Sequence, residues 1–196
     1  MNLPNQLTVS RFVLTVAFLA AMFSRFPYHE SVALVLFVIA SLTDWMDGAI
    51  ARKRKLVTHF GILMDPLADK ILTCSAFIAF VGMQSMPAWM VVLIVARELA
   101  ITGLRLLAAS KNLVLAAEGF GKHKTVSQII AIIAILVKGS YLQWGSMGSL
   151  LFGFHIMGEP WVHGFAELAK WAAVILTAVS GCLYLWRNRE LYLRDV

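Results

Sequence analysis

Charge and cysteine are both scarce in this 196-residue chain. Only 14% of its residues are charged, against 60% hydrophobic, and the mean hydropathy is +0.77. Soluble domains hold roughly one-half apolar residues, so this composition argues against an ordinary soluble fold. The two cysteines, Cys74 and Cys182, each lie inside an apolar segment. With no CxxC or Cys/His spacing to suggest zinc, they read as two small buried thiols. No basic stretch precedes the first apolar run and no small-residue cleavage site follows it, so no signal peptide is expected. β-patterning, repeats, a coiled-coil seam and low-complexity linkers are also missing, which leaves one domain over residues 1–196. No Ser/His/Asp or Cys/His arrangement offers a nucleophile.

What the chain does have is long apolar blocks. About 20 consecutive apolar residues are enough to cross a bilayer core, and the blocks predict an all-α integral membrane protein of six transmembrane helices. The expected spans are about Pro4–Phe23, Ser31–Arg52, Gly61–Gly82, Pro87–Ala109, Thr125–Trp144 and Phe165–Trp186. Pro4 suits a helix start, and GMQSMP marks the turn before the fourth span. Arg52 to Lys55 (RKRK), Lys111, Lys122, Lys124, Arg187, Arg189 and Arg194 fall on one side of this scheme; Arg25 and Lys138 fall on the other. The positive-inside rule then places both termini and the basic loops in the cytoplasm. Much of the net charge of +6 is therefore topology rather than a nucleic-acid footprint.

Against that background, DWMDGAIARK at the end of the second span is out of place. A charge inside a bilayer costs several kcal/mol unless paired or solvated, so such residues default to function. Asp44, Asp47, Gly48 and Ala51 follow at helical spacing and share a face, with Arg52 beside its cytoplasmic end. Asp44 lies roughly 12 Å along the helix from Arg52, within reach of a water-filled cavity. In GILMDPLADK, Gly61, Asp65 and Asp69 recur every four residues and share a face of the next helix. Four converging carboxylates repel one another unless cations neutralise them. Oxygen ligands favour Mg²⁺, Mn²⁺ or Ca²⁺ over zinc. Gly48, Ala51 and Gly61 would let a backbone or ligand approach closely, a role that small residues also serve in plain helix packing.

These residues match D-x-x-D-G-x-x-A-R, eight residues, then G-x-x-x-D-x-x-x-D without departure. On that pattern the chain resembles the CDP-alcohol phosphotransferase family. The resemblance implies a six-helix membrane enzyme, usually a homodimer, with a cytoplasm-facing active site. Such enzymes move a substituted phosphate from a CDP-linked donor to an alcohol and release CMP. By the same resemblance, Asp44, Asp47 and Asp65 are the principal metal ligands. Asp69 completes the metal site and is the catalytic base. Gly48, Ala51 and Arg52, with Asp44 and Gly61, line the cytidine diphosphate pocket. PNQLT at Pro4–Thr8 is similar to the family's Pro-Asn/Asp-x-x-Thr element; Asn5 and Thr8 would donate to the donor diphosphate, although helix capping also explains such a pair. The expected cofactors are two Mg²⁺ or Mn²⁺ ions, which can clamp a diphosphate and stabilise charge on the leaving CMP. One carboxylate must stay free to take the acceptor hydroxyl proton.

The acceptor is read from ARELAITGLRLLA and GKHKT. Consecutive helix positions do not face each other, so Arg97 and Glu98 are expected to serve different partners. Arg97 could balance the aspartates and Glu98 could orient a basic side chain; structural ion pairing would explain both. Lys122 and Lys124 at the membrane edge suit lipid headgroups or topology. Together with Arg97 and Arg105 they make a basic pocket for a phosphorylated acceptor. NLPNQLTVSRF, MDPLADK, ARELAITGLRLLA and GKHKTVSQ are similar to segments of the bacterial phosphatidylglycerophosphate synthase branch, as far as about Gln128. That branch implies CDP-diacylglycerol and sn-glycerol 3-phosphate as substrates, phosphatidylglycerol phosphate and CMP as products, and a bacterial inner membrane location. The family segment often reads LDP where Met64 stands, a conservative packing change.

Two alternatives stand beside this reading. One is a family enzyme with another acceptor: phosphatidylglycerol, as in a cardiolipin synthase, or serine or an inositol phosphate. The other is an ion-coupled transporter, which the one-sided acids and lack of inverted repeats argue against. The stretch from Gly145 to Gly164 reads as an apolar, aromatic loop on the outer membrane surface, with His155 and His163 solvated.

Overall fold

A computed structural model describes residues 3–24, 26–54, 59–111, 113, 119–156 and 158–193. Within its helices, the side chains of residues 3–8, 44–54, 59–66, 68–69, 119–122 and 193 lie outside the described residues. Six long helices carry the fold: α1 (Leu3–Phe23), α2 (His29–Arg54), α3 (His59–Gly82), α4 (Ala88–Ser110), α5 (Gly119–Ser140) and, after a shorter α6 (Gly145–Phe152), α7 (Trp161–Arg187). A short α8 (Arg189–Leu193) follows.

The breaks between helices have local causes. Pro27 precedes Tyr28, whose φ of 70° turns the chain, and the Val32 amide then donates to the Tyr28 carbonyl at 2.9 Å. After Gly82, Gln84 takes φ 56°, and the Ser85 amide donates back to the Phe80 carbonyl at 2.9 Å. Pro87 then caps α4 with φ −63°, the value its ring imposes, where a missing N–H costs nothing.

Helix α1 packs on α2 and α3, α5 on α7 and α2, and α4 along α7. The core between them holds Phe18, Phe37, Phe77, Phe80, Ile94, Ile132 and Leu136. The rings of Phe18 and Phe37 stand 6.0 Å apart across the α1–α2 seam. Helices α5 and α7 meet on alanines, Ala131 and Ala134 against Ala166, Ala169 and Ala173, which lets the two backbones approach closely. The outer surface is apolar: Val13, Val16, Val35, Val92, Leu99, Leu106 and Ile175 are all more than half exposed. Among the described residues, two helical stretches are long and apolar enough to cross a membrane, His123–Phe152 and Trp161–Arg187. Shorter apolar helices run over Val9–Phe23, His29–Thr43 and Lys70–Gly82. In α4, Arg97, Glu98 and Arg105 interrupt the apolar run.

Three expectations need correction. The fifth helix starts six residues early, at Gly119, and ends at Ser140, where a 3₁₀ turn (Tyr141–Trp144) leads into α6. The expected outer loop is largely structured: α6 is followed by a two-residue hairpin, β1 (His155–Ile156) against β2 (Glu159–Pro160), and α7 begins at Trp161. Stacking of Phe152 on Trp161, with centroids 5.9 Å apart, and a hydrogen bond from Trp161 Nε1 to the Leu151 carbonyl at 2.9 Å hold this segment together. Finally, neither thiol is fully buried; Cys74 is half-buried and Cys182 is exposed on the apolar face of α7.

Candidate active site

The acidic motif falls on continuous helix. Helix α2 runs unbroken through Asp44, Asp47, Gly48, Ala51 and Arg52, and α3 through Gly61, Asp65 and Asp69. The helical backbone therefore keeps each set in the register that puts its members on one face. Asn5 and Thr8 sit on the first turns of α1, which packs against both α2 and α3, and Lys122 sits on the first turn of α5. The side chains of all these residues lie outside the described ones, so their donor set is judged on chemistry. Four carboxylates on two consecutive helices make an oxygen-rich site suited to a hard divalent ion. Among the described residues, no other group of three His, Cys, Asp or Glu could hold a metal.

Lys70, one residue beyond Asp69, belongs to a buried polar core across four helices. Lys70 of α3 hydrogen-bonds Thr102 Oγ1 of α4 and reaches the Glu98 carbonyl at 3.4 Å. Thr102 Oγ1 donates to that same carbonyl at 2.7 Å. Glu98 is only 3% exposed, and its Oε1 accepts from Lys124 Nζ of α5. The same oxygen lies 3.4 Å from Arg97 Nη1 and 3.4 Å from Gln128 Nε2. Gln128 also donates to Thr177 Oγ1 of α7 at 3.0 Å, and Thr177 is fully buried. Burying charge in an apolar bundle is tolerated only with such pairing.

Of the expected acceptor residues, Arg97 and Lys124 are thus brought together on one carboxylate. The expectation that Arg97 and Glu98 serve different partners is corrected: the long arginine curls back to its neighbour. Arg105 is exposed about 12 Å further along α4 and, among the described residues, makes no hydrogen bond or ion pair with this group. Lys70, Thr102, Gln128 and Thr177 were missed as site residues. The available signal was a polar residue in an apolar run, which in a membrane protein asks for a partner.

Arg97 has room for its stem because α7 carries glycine opposite. A Cβ at Gly181 would stand 2.6 Å from Arg97 Cγ. Among the described residues, Arg97 Nε is buried without a hydrogen-bond partner, which leaves one donor of the group unused.

Residues 1–179 match the family model described as CDP-alcohol phosphatidyltransferase, and the chain belongs to that family. A Bacillus subtilis (strain 168) protein named CDP-diacylglycerol–glycerol-3-phosphate 3-phosphatidyltransferase is 42% identical over 201 residues, covering 96% of both chains. A Rickettsia bellii protein of the same name is 33% identical, covering 93% of both. A Mycobacterium tuberculosis (H37Rv) protein named probable phosphatidylglycerophosphate synthase is 35% identical, covering all of this chain and 83% of the relative.

Proposed function

We propose that this enzyme transfers the phosphatidyl group of CDP-diacylglycerol to sn-glycerol 3-phosphate, forming phosphatidylglycerol phosphate and CMP. The observation that carries this reading is similarity over nearly the whole length to relatives named for that reaction, with the acidic motif complete. The buried cations Arg97 and Lys124, close to the helix that bears Asp69, favour a phosphorylated acceptor over a neutral one.

In this reading Asp44, Asp47, Asp65 and Asp69 would hold two Mg²⁺ or Mn²⁺ ions, which would supply positive charge against the donor diphosphate and the leaving CMP. Asn5, Thr8, Gly48, Ala51, Arg52 and Gly61 hold the CDP moiety. Arg97 and Lys124, with Arg105 and Lys122 nearer the cytoplasm, bind the acceptor phosphate and bring its hydroxyl to the phosphatidyl phosphorus. Asp69 takes the proton of that hydroxyl as the new P–O bond forms and the bond to CMP breaks. Positioning and charge balance are the main demands of such a displacement.

The whole chain, 1–196, acts as one membrane domain of six spans in the bacterial inner membrane, with both termini and the active site on the cytoplasmic side and a homodimer as the working unit. The exposed valines and leucines on α1, α2 and α4 support membrane contact for helices whose charges interrupt their hydropathy. Arg97 and Glu98 of α4 point to partners inside the bundle rather than to lipid, whereas Arg105 is exposed.

The test is CMP release by purified protein given CDP-diacylglycerol, labelled glycerol 3-phosphate and Mg²⁺ or Mn²⁺. Release should require all three and stop on chelation. Release with phosphatidylglycerol, serine or an inositol phosphate but not with glycerol 3-phosphate would reassign the acceptor; ion flux in liposomes without any transfer would replace the enzyme with a transporter.

A further inference from the structure

Glu98 is more buried than either cation it holds. It stands at 3% exposure, Gln128 at 2% and Thr177 at 0%, so its carboxylate is fixed from α5 and α7 as well as from its own helix. Stability alone is a poor reason for such a cluster, because well-packed apolar residues often do as well as a buried ion pair. The cluster is also unbalanced. Among the described residues, one carboxylate, Glu98, stands beside three cations, Arg97, Lys124 and Lys70, and Arg97 Nε has no acceptor. A lysine ammonium has three donors, and Glu98 takes one of Lys124's. Surplus charge and unused donors together fit an incoming anion.

We propose that Glu98 is a positioning residue for the acceptor: it aligns Lys124 and Arg97 so that their remaining N–H groups meet the phosphate of the incoming alcohol, while Gln128 and Thr177 hold Glu98 in place. This rests on the phosphorylated-acceptor function proposed above, since a neutral acceptor would give these cations nothing to bind. Glu98 itself touches no substrate. Its removal leaves Lys124 and Arg97 in a buried site without their anchor, free to turn away from the phosphate.

The test is CMP release by the purified full-length protein in detergent, with each substrate varied in turn. Glu98→Gln should raise the KM for glycerol 3-phosphate at least tenfold and leave that for CDP-diacylglycerol within twofold. Thr177→Val, remote from substrate, should raise the same KM severalfold, and Glu98→Asp should recover part of the loss. A glycerol 3-phosphate KM within twofold of wild type in both Glu98→Gln and Thr177→Val would overturn the proposal. So would a fall in kcat with both KM values unchanged, the signature of a merely structural role. If Glu98→Gln does not fold, Thr177→Val decides alone in the same way. Wild-type protein that turns over only with a different acceptor would instead defeat the proposed function, and this inference with it.

Discussion

Replacing Gly181 with alanine tests whether Arg97 is held where the structure puts it. The new Cβ would stand 2.6 Å from Arg97 Cγ, with Arg97 Cβ and Nε each 3.7 Å away. Carbon atoms in comfortable contact are about 3.5–4.0 Å apart, so roughly 1 Å of movement is needed. The clashing atom is close to the main chain, so bending the far end of the side chain cannot relieve it. Arg97 must change its first torsion, and that swings the guanidinium that lies 3.4 Å from Glu98. Overpacking of this kind costs about 1–3 kcal/mol. Opposing it, alanine is about 1 kcal/mol better than glycine inside a helix. Gly103→Ala supplies the control, because Gly103 lies in the interior of α4 and a Cβ there meets nothing within 4 Å. The difference between the two variants isolates the clash. At about 2–4 °C per kcal/mol for a chain of this size, Gly181→Ala should melt about 2–12 °C below Gly103→Ala in detergent. Its KM for glycerol 3-phosphate should rise as well, with that for the CDP-linked donor unchanged. Equal melting temperatures and equal KM values in the two variants would show that the stem of Arg97 does not lie against α7.

The remaining predictions concern the acid motif and the far end of the bundle. Asp69→Asn should lower CMP release by about 10²–10⁴-fold, the usual worth of a general base, while the protein elutes and melts as wild type; substantial retained activity would remove the proposed base. Lys170 Nζ donates to the Ser85 carbonyl at 3.1 Å and pairs with Glu167 at 2.7 Å, with its side chain 7% exposed. Lys170→Met should therefore cost about 1–3 kcal/mol in thermal or denaturant unfolding without altering either KM. Lys138→Met should cost no more than about 0.5 kcal/mol, because its 3.5 Å pair with Glu167 is open to solvent; a larger loss than for Lys170→Met would reverse the assigned importance of the two.

The ends of α1 and α3 were legible because their apolar blocks stop at turns. Pro27 and the turn at Gln84 cut the chain where expected, and α1, α3 and α4 match their expected spans to within two residues at each end. The segment after Ser140 was not legible. GSMGSLLF contains two glycines and has weak helix propensity, so nothing local distinguishes it from a loop. It is kept helical by tertiary contacts, with Phe152 set between Trp144 and Trp161 at centroid distances of 5.5 and 5.9 Å. Aromatic pairs between different elements leave no period in the sequence.

The polar core is where local reading stops, for a reason particular to membrane bundles. Each of Glu98, Lys124, Gln128 and Thr177 announces by its place in an apolar helix that it needs a partner, but not which one. The partners lie 26 residues apart for Glu98 and Lys124, 30 for Glu98 and Gln128, and 49 for Gln128 and Thr177. Only the packing of α4, α5 and α7 brings them together, and that packing depends on the alanine seam and on the absent side chain at Gly181. Small residues that look chemically silent therefore decide where the charges meet. The aspartates are different, since their spacing within α2 and α3 is itself the signal. In the proposed reaction, donor chemistry would be written in local motifs, whereas the grip on the acceptor would depend on how three helices pack. Substitutions at Gly181 or along the alanine seam should consequently reach the acceptor KM before they disturb the donor.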